Sequence, residues 1–161
     1  MNDRDAINYI RDYLRTNLTD PLKPYYSTAS RTFVHTDNPR PDATFPRVII
    51  HKRGPSNNQI IEMGDNFMEW RSMVLDIEVW SRIGFKHHIG TASAYTQDQE
   101  FTKYYSDYIW RILKAGGSTI RTTYKIGGLK NMGEDEPELS EDEQFYKLNL
   151  PVRIWYFSTS S

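Results

Sequence analysis

The chain has 161 residues, 25% of them charged, with 20 Lys and Arg against 21 Asp and Glu, a formal net charge of −1 and no cysteine. That length suits one domain able to remove roughly 70% of its unfolded surface from water. The missing cysteines exclude a disulfide framework, a thiolate zinc site and a cysteine nucleophile, and the near-zero charge gives no global pull towards nucleic acid or anionic membrane.

No apolar run approaches the roughly 20 residues of a membrane span, and the opening Met-Asn-Asp-Arg-Asp lacks the apolar core of a secretory signal. The expectation is a soluble protein made or assembled inside a cell. Aromatic residues reach 14%, with 11 Tyr and 4 Trp. Such side chains suit half-buried positions and interfaces, and a Tyr-rich core is the simpler part of the explanation.

Residues 3–18 read as a helix, with Ile7, Ile10, Leu14 and Leu18 on one stripe, Ala6 and Tyr13 beside it, Asn2 or Asp3 as cap, and Asp20-Pro21 as stop. From about 20 to 45 the chain is irregular and proline-punctuated, long enough to be functional or disordered, with a short extended piece near Arg31–His35. Pro46–Arg53 reads as a strand closed by a Gly54-Pro55-Ser56-Asn57 turn, and Asn58–Met63 as the returning strand.

Ser72–Ser81 is the organising strand. Met73, Leu75, Ile77 and Val79 share one apolar face, while Val74, Asp76, Glu78 and Trp80 share the other. The apolar face needs a helix, and residues 97–115 supply one, with Phe101, Tyr104, Tyr105, Tyr108, Ile109 and Ile112 at helical spacing. Ile83–Tyr95 reads as a loop, Thr96 with Gln99 as a capping box, and Gly116-Gly117 as the helix end. Thr119–Ile126 alternates like a fourth strand. The stretch of about 131–144 is an acidic, solvated loop, and Tyr146–Tyr156 is the last strand, where Pro151 predicts a sheet edge or a bulge.

The predicted fold is therefore α+β: a mostly antiparallel sheet of about five strands on two helices, in the order α-β-β-β-α-β-β, all within a single domain spanning 1–161. Chemistry-bearing patterns are sparse. His87-His88 has no carboxylate at a ligating distance, and a surface loop is the stronger reading. The acidic tract lacks the interleaved glycine of a calcium loop. Asp76 and Glu78 resemble a carboxylate pair but have no positioned third group, so a wet sheet face or a subunit contact outweighs acid–base chemistry. No catalytic residue, metal ligand or cofactor is expected, and the chain does not read as an enzyme. Arg47, Lys52 and Arg53, with His51, form a local basic strand end that could meet nucleic acid, although edge cations also discourage unwanted strand pairing.

The layout, carried by Phe45-Pro-Arg-Val-Ile-Ile, by Met73-Val-Leu-Asp-Ile-Glu-Val-Trp-Ser-Arg82, by the aromatic helix from Phe101 to Leu113 and by Leu148-Asn-Leu-Pro-Val-Arg-Ile-Trp-Tyr156, resembles the tail-terminator and tail-completion proteins of long-tailed bacteriophages and archaeal viruses. That resemblance implies a virion tail or neck protein, assembled in the host cytoplasm as a homohexameric ring. Its partners would be the tail tube protein and the head–tail connector, with genomic DNA passing through the lumen without sequence-specific binding. Asp76, Glu78, Trp80, Arg47, Arg53, Glu134, Asp135 and Glu136 are the candidate interface or lumen residues. Another neck or head-completion protein, or a nucleic-acid-binding module, is the alternative.

Overall fold

The computed structural model describes residues 1–21, 32–37, 45–63, 66–83, 87–88, 95–96, 98–140, 142 and 144–158, without the side chains of 58–63, 66–68, 87–88, 95–96 and 98. Most of the irregular segment of 20–45, the Gly64-Asp65 break and the tail from Thr159 lie outside the described residues. In chain order the elements are α1 (Asp3–Asn17), β1 (Val34–Thr36), β2 (Arg47–Met63), β3 (Asn66–Arg82), β4 (His87–His88), β5 (Tyr95–Thr96), α2 (Asp98–Ala115), α3 (Gly117–Tyr124), β6 (Ile126–Asn131), β7 (Glu138–Leu139) and β8 (Phe145–Ser158). The fold is α+β.

The main sheet runs β1-β2-β3-β8-β6, with β7 also on β8. Every pairing is antiparallel except β1 with β2. Its register puts Ile50, Ile77 and Leu150 in one row across the sheet, with Val48, Val79 and Leu148 in the next. Because side chains alternate faces, the odd positions of β3 and the even positions of β2 and β8 form one apolar surface. All three helices cover it. Ala6, Ile10, Tyr13 and Leu14 of α1, Phe101, Tyr105, Ile109 and Leu113 of α2, and Ile120 of α3 join Met73, Leu75 and Ile77 in a single buried cluster. On α2 the fully buried stripe is therefore 101-105-109-113, while Tyr108 and Ile112 are partly buried at its flank.

α1 begins as the sequence predicts. Asn2 Oδ1 accepts from the Asp5 N–H at 2.8 Å, and Asp5 reciprocates to the Asn2 N–H, closing a capping box. One residue later the chain ties this helix to the sheet. The Asp3 carboxylate accepts from Lys52 Nζ at 2.5 Å, from Ser56 Oγ at 2.5 Å and from the Tyr156 hydroxyl, with Arg71 Nη1 3.7 Å away. Burial acts to raise its pKa, but the hydrogen bonds from Lys52, Ser56 and Tyr156 and the Lys52 charge outweigh it and hold the group at about 2. Burial, then the Asp3 carboxylate, push the Tyr156 phenol well above its usual range.

Local expectations are corrected at several points. Residues 119–126 are not a strand but α3 followed by the start of β6. Ile120, Thr122, Tyr124 and Ile126 alternate, yet Ile120 and Tyr124 are also one helical turn apart. They pack inward, with the Tyr124 ring 5.4 Å from Tyr9 and 6.2 Å from Tyr13. The glycine pair does end α2, at Ala115, as expected, but a further helix, α3, starts at once from Gly117. Gly116 is the bend between α2 and α3, and a Cβ there would fall 1.6 Å from Tyr13 Oη, so the close approach of α1 requires glycine.

Gly54–Asn57 is likewise no hairpin turn: β2 continues through it with a bulge between Arg53 and Asn57, four steps on β2 against two (Val74 to Ser72) on β3. Gly54 takes φ 65° there, and a bulge tolerates Pro55. Pro151 pairs in regular register with β3, while on its other side β6 pairing stops at Val152 and β7 pairing at Lys147, so the proline stands at a local edge of the sheet, one of the two positions expected, with no bulge. Its carbonyl accepts from the Met132 N–H at 2.9 Å, so its missing N–H faces the same side, just beyond the last β6 residue, where no ladder bond is lost.

The region of 83–95 is not wholly loop. His87–His88 pairs with Tyr95–Thr96 as a separate two-stranded ribbon, and the expected Thr96–Gln99 cap falls beside residue 97, outside the described residues.

Candidate assembly surface

Parity decides the character of the second sheet face. The core takes the even residues of β8 and the odd residues of β3, so Trp70, Val74, Asp76, Glu78 and Trp80 meet Phe145, Lys147, Asn149, Arg153, Trp155 and Phe157 on the far side. From β2 come Arg47, Ile49, His51 and Arg53. Every helix packs on the other face. Three of the four tryptophans thus lie on a sheet surface that carries no helix among the described residues.

Its centre is a network of paired charges. Arg53 forks onto Asp76, with Nε 2.9 Å from Oδ2 and Nη2 2.6 Å from Oδ1, and Asn149 Nδ2 donates to the same carboxylate at 2.9 Å. A fork of this kind gains more than a single contact. Through its hydrogen bond to Asp76 the pair raises the pKa of Arg53. Asp135 stands 4.0 Å from Arg53 and accepts the other Asn149 Nδ2 bond at 2.9 Å. Beside this, Glu78 accepts from Trp80 Nε1 at 2.9 Å, with His51 Nε2 at 3.5 Å and Lys147 Nζ at 3.6 Å.

The side chains of Asp76 and Glu78 are only 12% and 11% exposed. They are not the wet carboxylates that strand alternation suggests, because long neighbours fold over them. Groups this buried need their partners.

Aromatic clusters close both ends. At one, Phe45 and Phe145 stack at 5.6 Å, Trp80 lies 4.6 Å from Phe145, and the Arg47 guanidinium sits 4.4 Å from the Phe45 ring and 5.2 Å from Trp80. Burial lowers the pKa of Arg47, and the ring faces offset part of its lost hydration. At the other end Trp70 meets Phe157 edge-on at 4.3 Å. Trp70 and Trp155 lie over Gly127 and Gly128, where a Cβ would come within 2.9 and 3.2 Å of the rings.

Of the eight residues singled out by sequence, the structure brings six together: Arg47 with Trp80, Arg53 with Asp76 and Asp135, and Glu78 hydrogen-bonded to Trp80. Glu134 is exposed, and Glu136 pairs outward with Lys103 at 3.0 Å. The basic strand end is dispersed, since Lys52 turns to Asp3 on the helix face while Arg53 turns to Asp76. Asn149, Lys147, Phe145 and Trp155 are the surface residues that the sequence reading missed. The odd-numbered parity of β8 was the available signal for all four, whereas His51, named by sequence only in the basic strand end, and its partner Glu78 meet only through strand register.

No family model matches the chain. Nor does any curated protein. Among solved structures, a chain from the virion of a native gene transfer agent (GTA) particle aligns over 93% of this chain and 94% of its own length, at 12% identity and a TM-score of 0.41, a likeness too slight to carry function across.

Proposed function

We propose that this chain is a structural subunit of a tailed virus-like particle, a tail terminator whose copies form a ring that caps the tail tube and joins it to the head connector. The observation that carries the reading is the sheet face that no helix covers among the described residues, with its three tryptophans and its charge network. Half-buried Trp and Phe beside organised ion pairs are the composition of surfaces that meet other proteins. The layout resemblance set out above gives the reading its specific form.

The paired state of Asp76 and Glu78 bears on how such a surface would work. Their charge is matched within the chain by Arg53 and Lys147, with His51 Nε2 3.5 Å from Glu78. A face of this kind meets a protein neighbour without leaving a bare carboxylate buried, or lines a passage for DNA without attracting it. Nucleic-acid binding through the basic strand end is the weaker alternative, since Lys52 and Arg53 already hold carboxylates.

The test is the mass of the full chain in solution, alone and with tube protein, together with negatively stained images. A ring, six-fold if the resemblance holds in full, supports the reading, and a monomer under all these conditions refutes it.

A further inference from the structure

At the Phe145 end of the far face lies an open depression of about 520 Å³. Trp80, Phe145 and Leu139 form its apolar lining, and Leu139 is 45% exposed. Glu138 and Asp142 are among its lining residues. The wider sequence context is one-signed: residues 134–143 contain Glu134, Asp135, Glu136, Glu138, Glu141, Asp142 and Glu143 and no base. Against them stand Lys147, already held by Glu78 and Glu138, Lys103 beside Glu136, Arg53 beside Asp135, and Arg82 at the end of β3.

The segment immediately before is the opposite. Residues 108–133 contain Arg111, Lys114, Arg121, Lys125 and Lys130 and no carboxylate. All five are exposed, and only Arg111 forms an ion pair among the described residues, with Asp107 at 3.1 Å. α2 and α3 therefore present a basic corner with most of its cations unpaired among those residues, and Tyr9, 38% exposed, lies beside it 5.4 Å from Tyr124.

These two regions cannot meet within one chain. The depression lies against Lys147, whereas α3 leads into β6 at Ile126, which pairs with Tyr156, nine residues further along β8. At ~3.3 Å per residue the two ends are about 30 Å apart. A subunit with complementary patches at opposite ends associates head to tail, the heterologous geometry that produces rings when the rotation closes.

We infer that the depression lined by Trp80, Leu139 and Phe145 receives the basic α2–α3 corner of a second copy of this chain, with Arg121 as the anchoring side chain. Arginine suits both parts of the site: its planar guanidinium stacks on aromatic faces and forks onto carboxylates. Arg121 is exposed in α3 and unpaired among the described residues, while Glu138 and Asp142 line the same depression as Trp80 and Phe145. This inference rests on the assembly reading and names the contact through which it would occur.

The experiment uses two full-length variants, Glu138→Lys/Asp142→Lys and Arg121→Glu, and measures self-association by analytical ultracentrifugation over a concentration series. Each variant alone places like charges in the contact, and association should weaken at least about 100-fold. Mixed in equal amounts they should recover it as a complex with alternating chains, because each depression then faces a corner of opposite charge. A misfolded variant could not be rescued in this way. If the wild-type chain and both variants associate equally, or the mixture fails to recover, the contact is overturned while the assembly reading stands. If the wild-type chain remains a monomer throughout, both fall.

Discussion

Asp3 gives the sharpest prediction about what holds this fold together. Its carboxylate joins the first turn of α1 to β2 through Lys52 and Ser56, to β8 through Tyr156 and to β3 through the more distant Arg71. Asp3→Asn keeps the shape and removes the charge. A native pKa of about 2 against the ordinary 3.8 corresponds to about 2.5 kcal/mol at ~1.4 kcal/mol per pH unit. About a quarter of the side chain is still exposed, and screening reduces the expected loss to about 1.5 kcal/mol.

The pH dependence follows from the sign of the shift. Because the folded pKa is depressed, the unfolded chain binds the proton more readily between the two values, and stability rises with pH there. The contribution is complete above about pH 5 and is lost as pH falls through about 2. Urea unfolding of wild type and Asp3→Asn at several pH values should show a gap of about 1.5 kcal/mol at pH 7 that closes between about pH 4 and pH 2. Equal stability at pH 7, or a gap that persists undiminished at pH 2, would refute the assigned role of this carboxylate.

On the far face, Arg53→Ala leaves the nearly buried Asp76 with only Asn149 as a partner and should cost about 2–3 kcal/mol by urea unfolding, whereas Asp135→Ala, at an exposed position, should stay within about 0.5 kcal/mol. Gly116→Ala drives a methyl into the Tyr13 ring and should cost about 1–3 kcal/mol; adding Tyr13→Ala, which removes the obstruction, should make the glycine substitution nearly neutral in that background. Ile77→Ala, at 0% exposure in the middle of the central strand, should cost about 2–5 kcal/mol and lower the thermal midpoint accordingly.

Period and composition were enough to reveal the two-layer plan. The alternation at Met73, Leu75, Ile77 and Val79 and the helical spacing of Phe101, Tyr105 and Ile109 each encode a buried face, because each is long enough to exclude the competing period. Short or doubly periodic stretches did not decide themselves. Ile120 and Tyr124 fit a strand face and a helix stripe equally, and only the position of Tyr9, Tyr13 and Ile126 around them makes the helix the packed solution. The Gly54-Pro55 pair has the composition of a turn, but the neighbouring β3 strand offers pairing on both sides of it and absorbs it as a bulge.

The candidate surface divides in the same way. Sequence alone established that Asp76, Glu78 and Trp80 share one strand face, that the acids of 134–143 are segregated, and that no single stretch carries a catalytic motif. Which cation meets which carboxylate is a matter of register between strands far apart in the chain. Arg53 reaches Asp76 across 23 residues and Asn149 reaches it across 73, separations that local patterning does not encode. Tertiary structure alone decided that these charges close on one another between two aromatic clusters, because a sheet brings together side chains that only its pairing, and not their order, makes neighbours.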